Sequence, residues 1–532
     1  MKIRSFVLSV SFWTSLALAQ GTPGAGVAPG AGPASAPEVI ADASAVSTIS
    51  QYGIAWTFQG KPVSGQFANG DYWVVGPVRI IRINPPSVEQ IGTTTLTNFT
   101  LGGSNPKPRT MNGSMLNPMT GGAFGVAPKP GKDKRQGYDS EMYAWDPDAG
   151  RMYAPDDFYD AKLNVALGVN PAHPLLLQPD SSLISSISYE SGKRPQLKAA
   201  AILTVLGSAP PDNGSTSFRP PYVGTNKPQY SIKTLRKDRL PNLPLVSSMP
   251  DLKAVIAQFQ RPWIDHFSHH SDGTQYTSPS ENMPAYGREY CMAVGTASLL
   301  LMLKEDDLAA KYGENKDRLL IRFVQLGIDL YHVTENGGYW MGNGGLNHGR
   351  KWPIIFAGLM LDNERMCTIG SRSKQMPYWG FAEDGQTKYI DQADVEMTHS
   401  PQWAPDKRST LEMYEKSDIG LPEWNVGGFA PGLDGAVTMN KAYSATYRPI
   451  NGMSYPGIIL SALLMGQKTA WNHDALFDYT DRFVTWTLRI RSIDPIKARD
   501  DYYKALYVYG GAMQQAMWEA YRSKVDEIGR SR

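Results

Sequence analysis

Chemistry concentrates in one short stretch of this chain, Gly337-Gly338-Tyr339-Trp340-Met341-Gly342-Asn343-Gly344-Gly345-Leu346-Asn347-His348-Gly349-Arg350-Lys351-Trp352-Pro353. Five glycines precede the Asn347-His348 pair, so the backbone there is free to approach a bound molecule closely. Asn347, His348, Arg350 and Lys351 supply an amide, an imidazole and two cations within five positions, and Tyr339 and Trp340 add aromatic faces. A helix is expected to follow, and the positive end of its dipole favours an anion. A loop that needs glycine only for its path has no reason to carry so many donors, which makes this the first candidate site.

Two later patches carry related chemistry. Arg408 and Tyr414 lie six apart in a segment that closes on Leu421-Pro422-Glu423-Trp424, and Tyr447-Arg448 forms a further pair. Elimination across a uronic acid ring removes a weakly acidic proton beside a carboxylate. Neutral or cationic donors on that carboxylate stabilise the charge as it develops. A Tyr or His then acts as base, and Tyr can return the proton to the leaving oxygen. A surface Tyr packing beside an Arg is the bland alternative.

Other clusters admit more than one reading. His266, His269 and His270, with Asp265 and Asp272 nearby, fall near one helical face. The two-His-plus-Glu zinc helix is missing, so these histidines are expected to line a polar cleft or end a helix rather than hold a metal. The run Glu281 to Tyr290 brings together Glu281, Arg288, Glu289 and Tyr290, either as a carboxylate pair or as helix-capping acids. Phe218-Arg219-Pro220-Pro221-Tyr222 presents Arg219 and Tyr222 on a backbone stiffened by two prolines, as part of a cleft or as a structural turn.

The elements that must position these residues change character along the chain. Residues 1–19 read as a secretory signal: Lys2 and Arg4, an apolar run from Phe6 to Leu16, then Ala17-Leu18-Ala19. That run falls short of the roughly 20 apolar residues a membrane span needs. Residues 20–48 are a Gly/Ala/Pro-rich tether. Residues 49–248 read as a β-rich, sandwich-like domain, with strands expected at Ile54–Phe58, Tyr72–Val75, Val78–Ile83, Ser182–Ser188 and Ala199–Leu206. Residues 249–528 read as helical, with helices expected at Asp251–Phe267, Arg288–Leu303, Asp317–His332, Trp352–Leu361, Gly457–Met465, His473–Ile490 and Asp501–Val525. Helices alternating with function-bearing loops suggest a helical barrel or toroid with a cleft at one end. The class is therefore α+β and multidomain.

Composition narrows the function. A net charge of +2 gives no field that favours nucleic acid. Thirteen Trp and 27 Tyr suit sugar rings as well as cores. Cys291 and Cys367 are too few for a disulfide scaffold, and whether they pair is left open. No phosphate-binding glycine motif of standard spacing is present, so no nucleotide cofactor is expected, nor any integral membrane segment in the mature chain.

Over about residues 250–525 the chain resembles the (α/α)-toroid polysaccharide lyases, the class that includes alginate and related uronan lyases. The resemblance rests on Asn347-His348 followed by the Arg408/Tyr414 pair. It implies an exported, periplasmic or extracellular lyase acting on an anionic polysaccharide, with no cofactor. Asn347, His348, Arg408 and Tyr414 would be catalytic. Arg350, Lys351, Tyr339, Trp340, Arg288, Tyr290, His270, Arg219, Tyr222, Trp424, Tyr447 and Arg448 would bind substrate. Two other classes fit the sequence: a glycoside hydrolase drawing a carboxylate pair from Glu281, Glu289, Asp384 or Glu423, and an exported protein that binds glycan without cutting it.

Overall fold

The computed structural model describes residues 44–45, 47–91, 108–119, 136–140, 145–146, 151–152, 159–189, 197–266, 279–284, 286–340, 342, 344–376, 379–399, 416–424, 451–492 and 510–530. They belong to one compact unit, Ile40–Arg532.

The first part is β-rich. Ile54–Phe58 alternates buried and half-buried positions, as a strand with one covered face must. It joins Leu175–Leu177, Val78–Asn84 and Thr48–Gln51 in a four-stranded sheet. A six-stranded sheet runs in the order Ser44–Ala45, Val63–Gln66, Tyr72–Val75, Leu197–Leu206, Ser181–Ser188, Ser114–Leu116. Its two longest strands pair antiparallel, with Leu183 opposite Leu203, and Leu197–Leu206 pairs parallel with Tyr72–Val75. Trp56, Ile80, Val74, Leu183 and Leu203 share a core between the two sheets. The Trp56 indole N–H donates across that core to Ser185 Oγ at 2.9 Å. The serines of Ser181–Ser188 are buried, and several find local acceptors: Ser186 Oγ donates to Gly113 O at 2.9 Å.

The later part is mainly helical. The helices at Gly287–Leu301, Asp317–Glu335, Lys351–Leu361, Pro456–Leu464 and Asp474–Ser492 stand within a few residues of the periodicity-based expectations. Two expectations shorten. The segment expected at Asp251–Phe267 is helical only over Leu252–Gln258. Pro262 disfavours helical geometry at Arg261, and the Phe259 and Trp263 rings stack at 4.6 Å instead of continuing the turn. The last long helix is Ala512–Tyr521, and residues 501–509 lie outside the described set. Helices at Glu305–Tyr312, Glu364–Cys367 and Ile369–Ser373 were not expected. The segment 161–168, read as strand or short helix, contains a single 3-10 turn at Ala161–Leu163.

The β-rich and helical parts are not two separate cores. One hydrophobic cluster runs from Ile184, Ile202 and Phe218 through Val294, Leu320 and Phe356 to Ile459 and Met517. Among the described residues no helix is long and apolar enough to cross a membrane, and both cysteines are free thiols.

Candidate functional site

The glycine-rich stretch folds back onto the start of the Gly287–Leu301 helix. Glycine is required on both sides of that contact. A Cβ on Gly287 would lie 2.4 Å from the Asn347 nitrogen, and one on Gly349 would lie 2.6 Å from Cys291 Cα. Gly349 also sits at φ +89°, and Asn347 itself at φ +66°. A non-glycine residue held in the left-handed region is a local strain that the surrounding contacts must sustain.

His348 is fully buried in this loop. Its Nε2 lies 2.9 Å from the Gly344 carbonyl oxygen. A carbonyl only accepts, so Nε2 carries the hydrogen and Nδ1 carries a lone pair. Facing that lone pair at 3.4 Å, at the long end of hydrogen bonding, is the hydroxyl of Tyr455. The two rings meet edge to face at 5.4 Å. Burial pushes the imidazole down to about 4, so His348 is neutral at physiological pH, and burial raises Tyr455 well above the usual phenol value. The Asn451 side chain also faces the imidazole. That amide is 1% exposed, and neither its oxygen nor its nitrogen has a hydrogen-bond partner.

The cations behind the pair hold the loop in place. Arg350 Nε donates to Asp265 at 2.9 Å, and its Nη1 donates to the His348 carbonyl at 2.9 Å. Its guanidinium lies 3.6 Å from the centroid of the Tyr290 ring. Lys351 pairs with Asp384 and donates to the Trp471 carbonyl at 2.6 Å, while the Trp471 indole holds the other Asp384 oxygen at 2.9 Å. All four charged side chains are buried. Breaking such a pair from one side costs about 3–5 kcal/mol, because a charge is stranded in the interior. The expectation that Arg350 and Lys351 reach out to substrate is therefore corrected: both position the loop.

The remaining expected residues divide similarly. Arg219 is buried and bridges Asp71 at 2.6 Å and Asp329 at 3.1 Å, tying the β-rich part to the helix Asp317–Glu335. The Tyr222 hydroxyl accepts from the Asp265 backbone N–H at 2.8 Å. The structure thus gives Phe218–Tyr222 the structural role rather than the cleft role. Tyr339, Trp340, Tyr290 and Trp424 are buried, with Trp340 stacked on Phe381 at 5.8 Å. Only Arg288, about a quarter exposed and paired with Glu289, meets solvent appreciably among the described residues of the expected binding set. Arg408, Tyr414, His270, Tyr447 and Arg448 lie outside the described residues, as do His269 and Asp272. His266 is buried, and burial pushes it down to about 3. Among the described residues no cluster of His, Cys, Asp or Glu is arranged to hold a metal.

Of the carboxylates that a hydrolase was expected to use, Asp384 is tied to Lys351, Glu289 to Arg288 and Glu423 to Arg482 at 3.1 Å. Glu281 hydrogen-bonds Tyr189. Sequence reading passed over three residues that surround His348: Tyr455, Asn451 and Glu383. Glu383 neighbours Asp384 in sequence, yet nothing in its local pattern marks it as the member of the pair without a cation. Tyr455 shows only as the residue before a helix-opening proline. No known protein family matches the chain, and no curated protein or solved structure matches it.

Proposed function

We propose that the chain is an exported lyase that cleaves a uronic-acid-containing polysaccharide by β-elimination, with its helices arranged as an (α/α) toroid. The observation that carries this reading is the His348–Tyr455 pair: a neutral imidazole whose lone pair faces a buried phenol. The Tyr455 oxygen takes the proton at the ring carbon beside the carboxylate while its own proton passes to His348 Nδ1. The bond to the neighbouring ring oxygen breaks and a carbon–carbon double bond forms. The proton returns through the phenol to the leaving oxygen. An imidazole held near 4 gives its proton back readily. The side-chain amides of Asn347 and Asn451 donate to the substrate carboxylate as negative charge moves onto it.

The test is product chemistry. Digests of alginate, glucuronan and glycosaminoglycans are expected to yield an unsaturated product that absorbs in the ultraviolet. Flat traces across that panel remove the reading. A second reading, hydrolysis, is favoured by Glu383, a buried carboxyl raised to about 7 and so suited to donate a proton. It predicts new reducing ends without ultraviolet absorbance.

A further inference from the structure

Glu383 is the one group around the loop that neither the ion pairs nor the His348–Tyr455 contact accounts for. Its side chain is fully buried. Oε2 accepts from the Gly349 backbone N–H at 3.3 Å, directly after His348. Oε1 has no hydrogen-bond partner among the described residues. The two nearest cations are committed elsewhere, Lys351 to Asp384 and Arg350 to Asp265. The titratable groups that feel its charge come from every side: Tyr290 and Cys291 on the Gly287–Leu301 helix, Tyr455 ahead of the Pro456–Leu464 helix, Arg350 and Lys351 at the Lys351–Leu361 helix, and Asp384 beside it.

We infer that Glu383 is a positioning residue for His348, holding the Gly349 amide as a neutral carboxylic acid and so fixing the imidazole's aim at Tyr455. The neutral form suits the site because a carboxylate there would be a third buried anion beside Asp265 and Asp384, with only two buried cations between them. Ionisation draws Arg350 or Lys351 away from its partner and frees the loop that carries His348. Burial, reinforced by Asp384, raises the carboxyl to about 7, which places this change in the neutral range.

The geometric part of the inference stands without the proposed reaction; its catalytic consequence rests on that reading. The experiment keeps the two apart. Imidazole nitrogen resonances of the full chain are followed from about pH 5 to about pH 8, a span that brackets the shifted carboxyl. The comparison is wild type, Glu383→Gln and Glu383→Ala, with circular dichroism to confirm folding. In the wild type the His348 signal is expected to keep its Nε2–H tautomer at the acidic end and to broaden or shift as Glu383 ionises. Glu383→Gln, which keeps a neutral carbonyl acceptor for Gly349, is expected to hold the acidic-end signal throughout. Glu383→Ala is expected to lose it at every pH. If uronan cleavage is found, the wild-type rate falls across the alkaline limb and the Glu383→Gln rate, whatever its height, does not. A His348 signal that follows the same pH course in the wild type and Glu383→Gln overturns the inference. Ultraviolet-silent digests with the expected resonances overturn only the lyase reading.

Discussion

The Tyr455 hydroxyl stands 3.4 Å from Nδ1 of His348 across 107 positions of sequence, and the Gly344 carbonyl fixes the tautomer that leaves Nδ1 free to accept. Everything else near the pair either holds it in place or faces it with an amide.

Tyr455→Phe removes one oxygen from a buried, well-packed ring. Stability is expected to change by about 1 kcal/mol, the net worth of one hydrogen bond. The cleavage rate is expected to fall by about 10²–10⁴, the usual contribution of a positioned proton-transfer group. Initial rates of ultraviolet-absorbing product, alongside a denaturant melt, separate the two effects. A variant that cuts at the wild-type rate excludes Tyr455 from the chemistry.

Stability should depend on pH in a way that Glu383 and Asp265 set from one side and the histidines from the other. Burial raises Glu383 to about 7 and Asp265 to about 6, so in both cases the unfolded chain gives up its proton first. Their contribution is present below the ordinary carboxylate range and is lost as pH rises toward the folded values, on the order of 3 kcal/mol apiece. Burial holds His348 and His332 near 4, which acts oppositely: stability present above the ordinary imidazole value is lost as pH falls. The difference in unfolding free energy between wild type and Glu383→Gln isolates the first effect. It is expected to grow in favour of the variant from about pH 4.5 to about pH 7 and then level off.

Arg219 stitches the β-rich part to the helices through Asp71 and Asp329. Arg219→Ala leaves two buried carboxylates with no cation between them and is expected to destabilise by about 3–5 kcal/mol. Because the hydrophobic core is shared, fluorescence and circular dichroism should still report one coincident transition. Two separated transitions in the wild type would show that the parts fold independently.

Gly349→Ala sets a Cβ 2.6 Å from Cys291 Cα at a backbone φ of +89°. The expected cost is about 1–3 kcal/mol from backbone strain, with the steric clash adding to it. Gly313→Ala is the control: it has a left-handed φ of +62° but open space around the new methyl, so it should cost less. Chemical denaturation of the two variants measures the difference, and equal costs would mean that the loop yields to the added carbon.

Much of the framework was legible because it is local. Ile54–Phe58 and Tyr72–Val75 were read to the residue, since strand alternation and flanking turn signals lie within a few positions of each other. The Asp317–Glu335 helix announces itself by apolar periodicity, and its buried polar stripe of Arg322, Gln325, Asp329 and His332 follows the same spacing. The glycines of the 337–349 loop pointed to close backbone approach, and the loop does pack against the helix start at Gly287. What approaches it was not legible: the contact is with the chain's own backbone.

Residue types and local spacing determined where the strands, the helices and the polar loop would be, because those preferences act over a few residues. Only the tertiary structure decided which charges were spent. Arg350 meets Asp265 across 85 positions, Lys351 meets Asp384 across 33, and Glu383, next in sequence to Asp384, meets no cation at all. A buried charge is tolerable only with a partner, and a partner is chosen by three-dimensional proximity. For that reason the sequence could nominate His348 but not Tyr455 opposite it or Glu383 behind it.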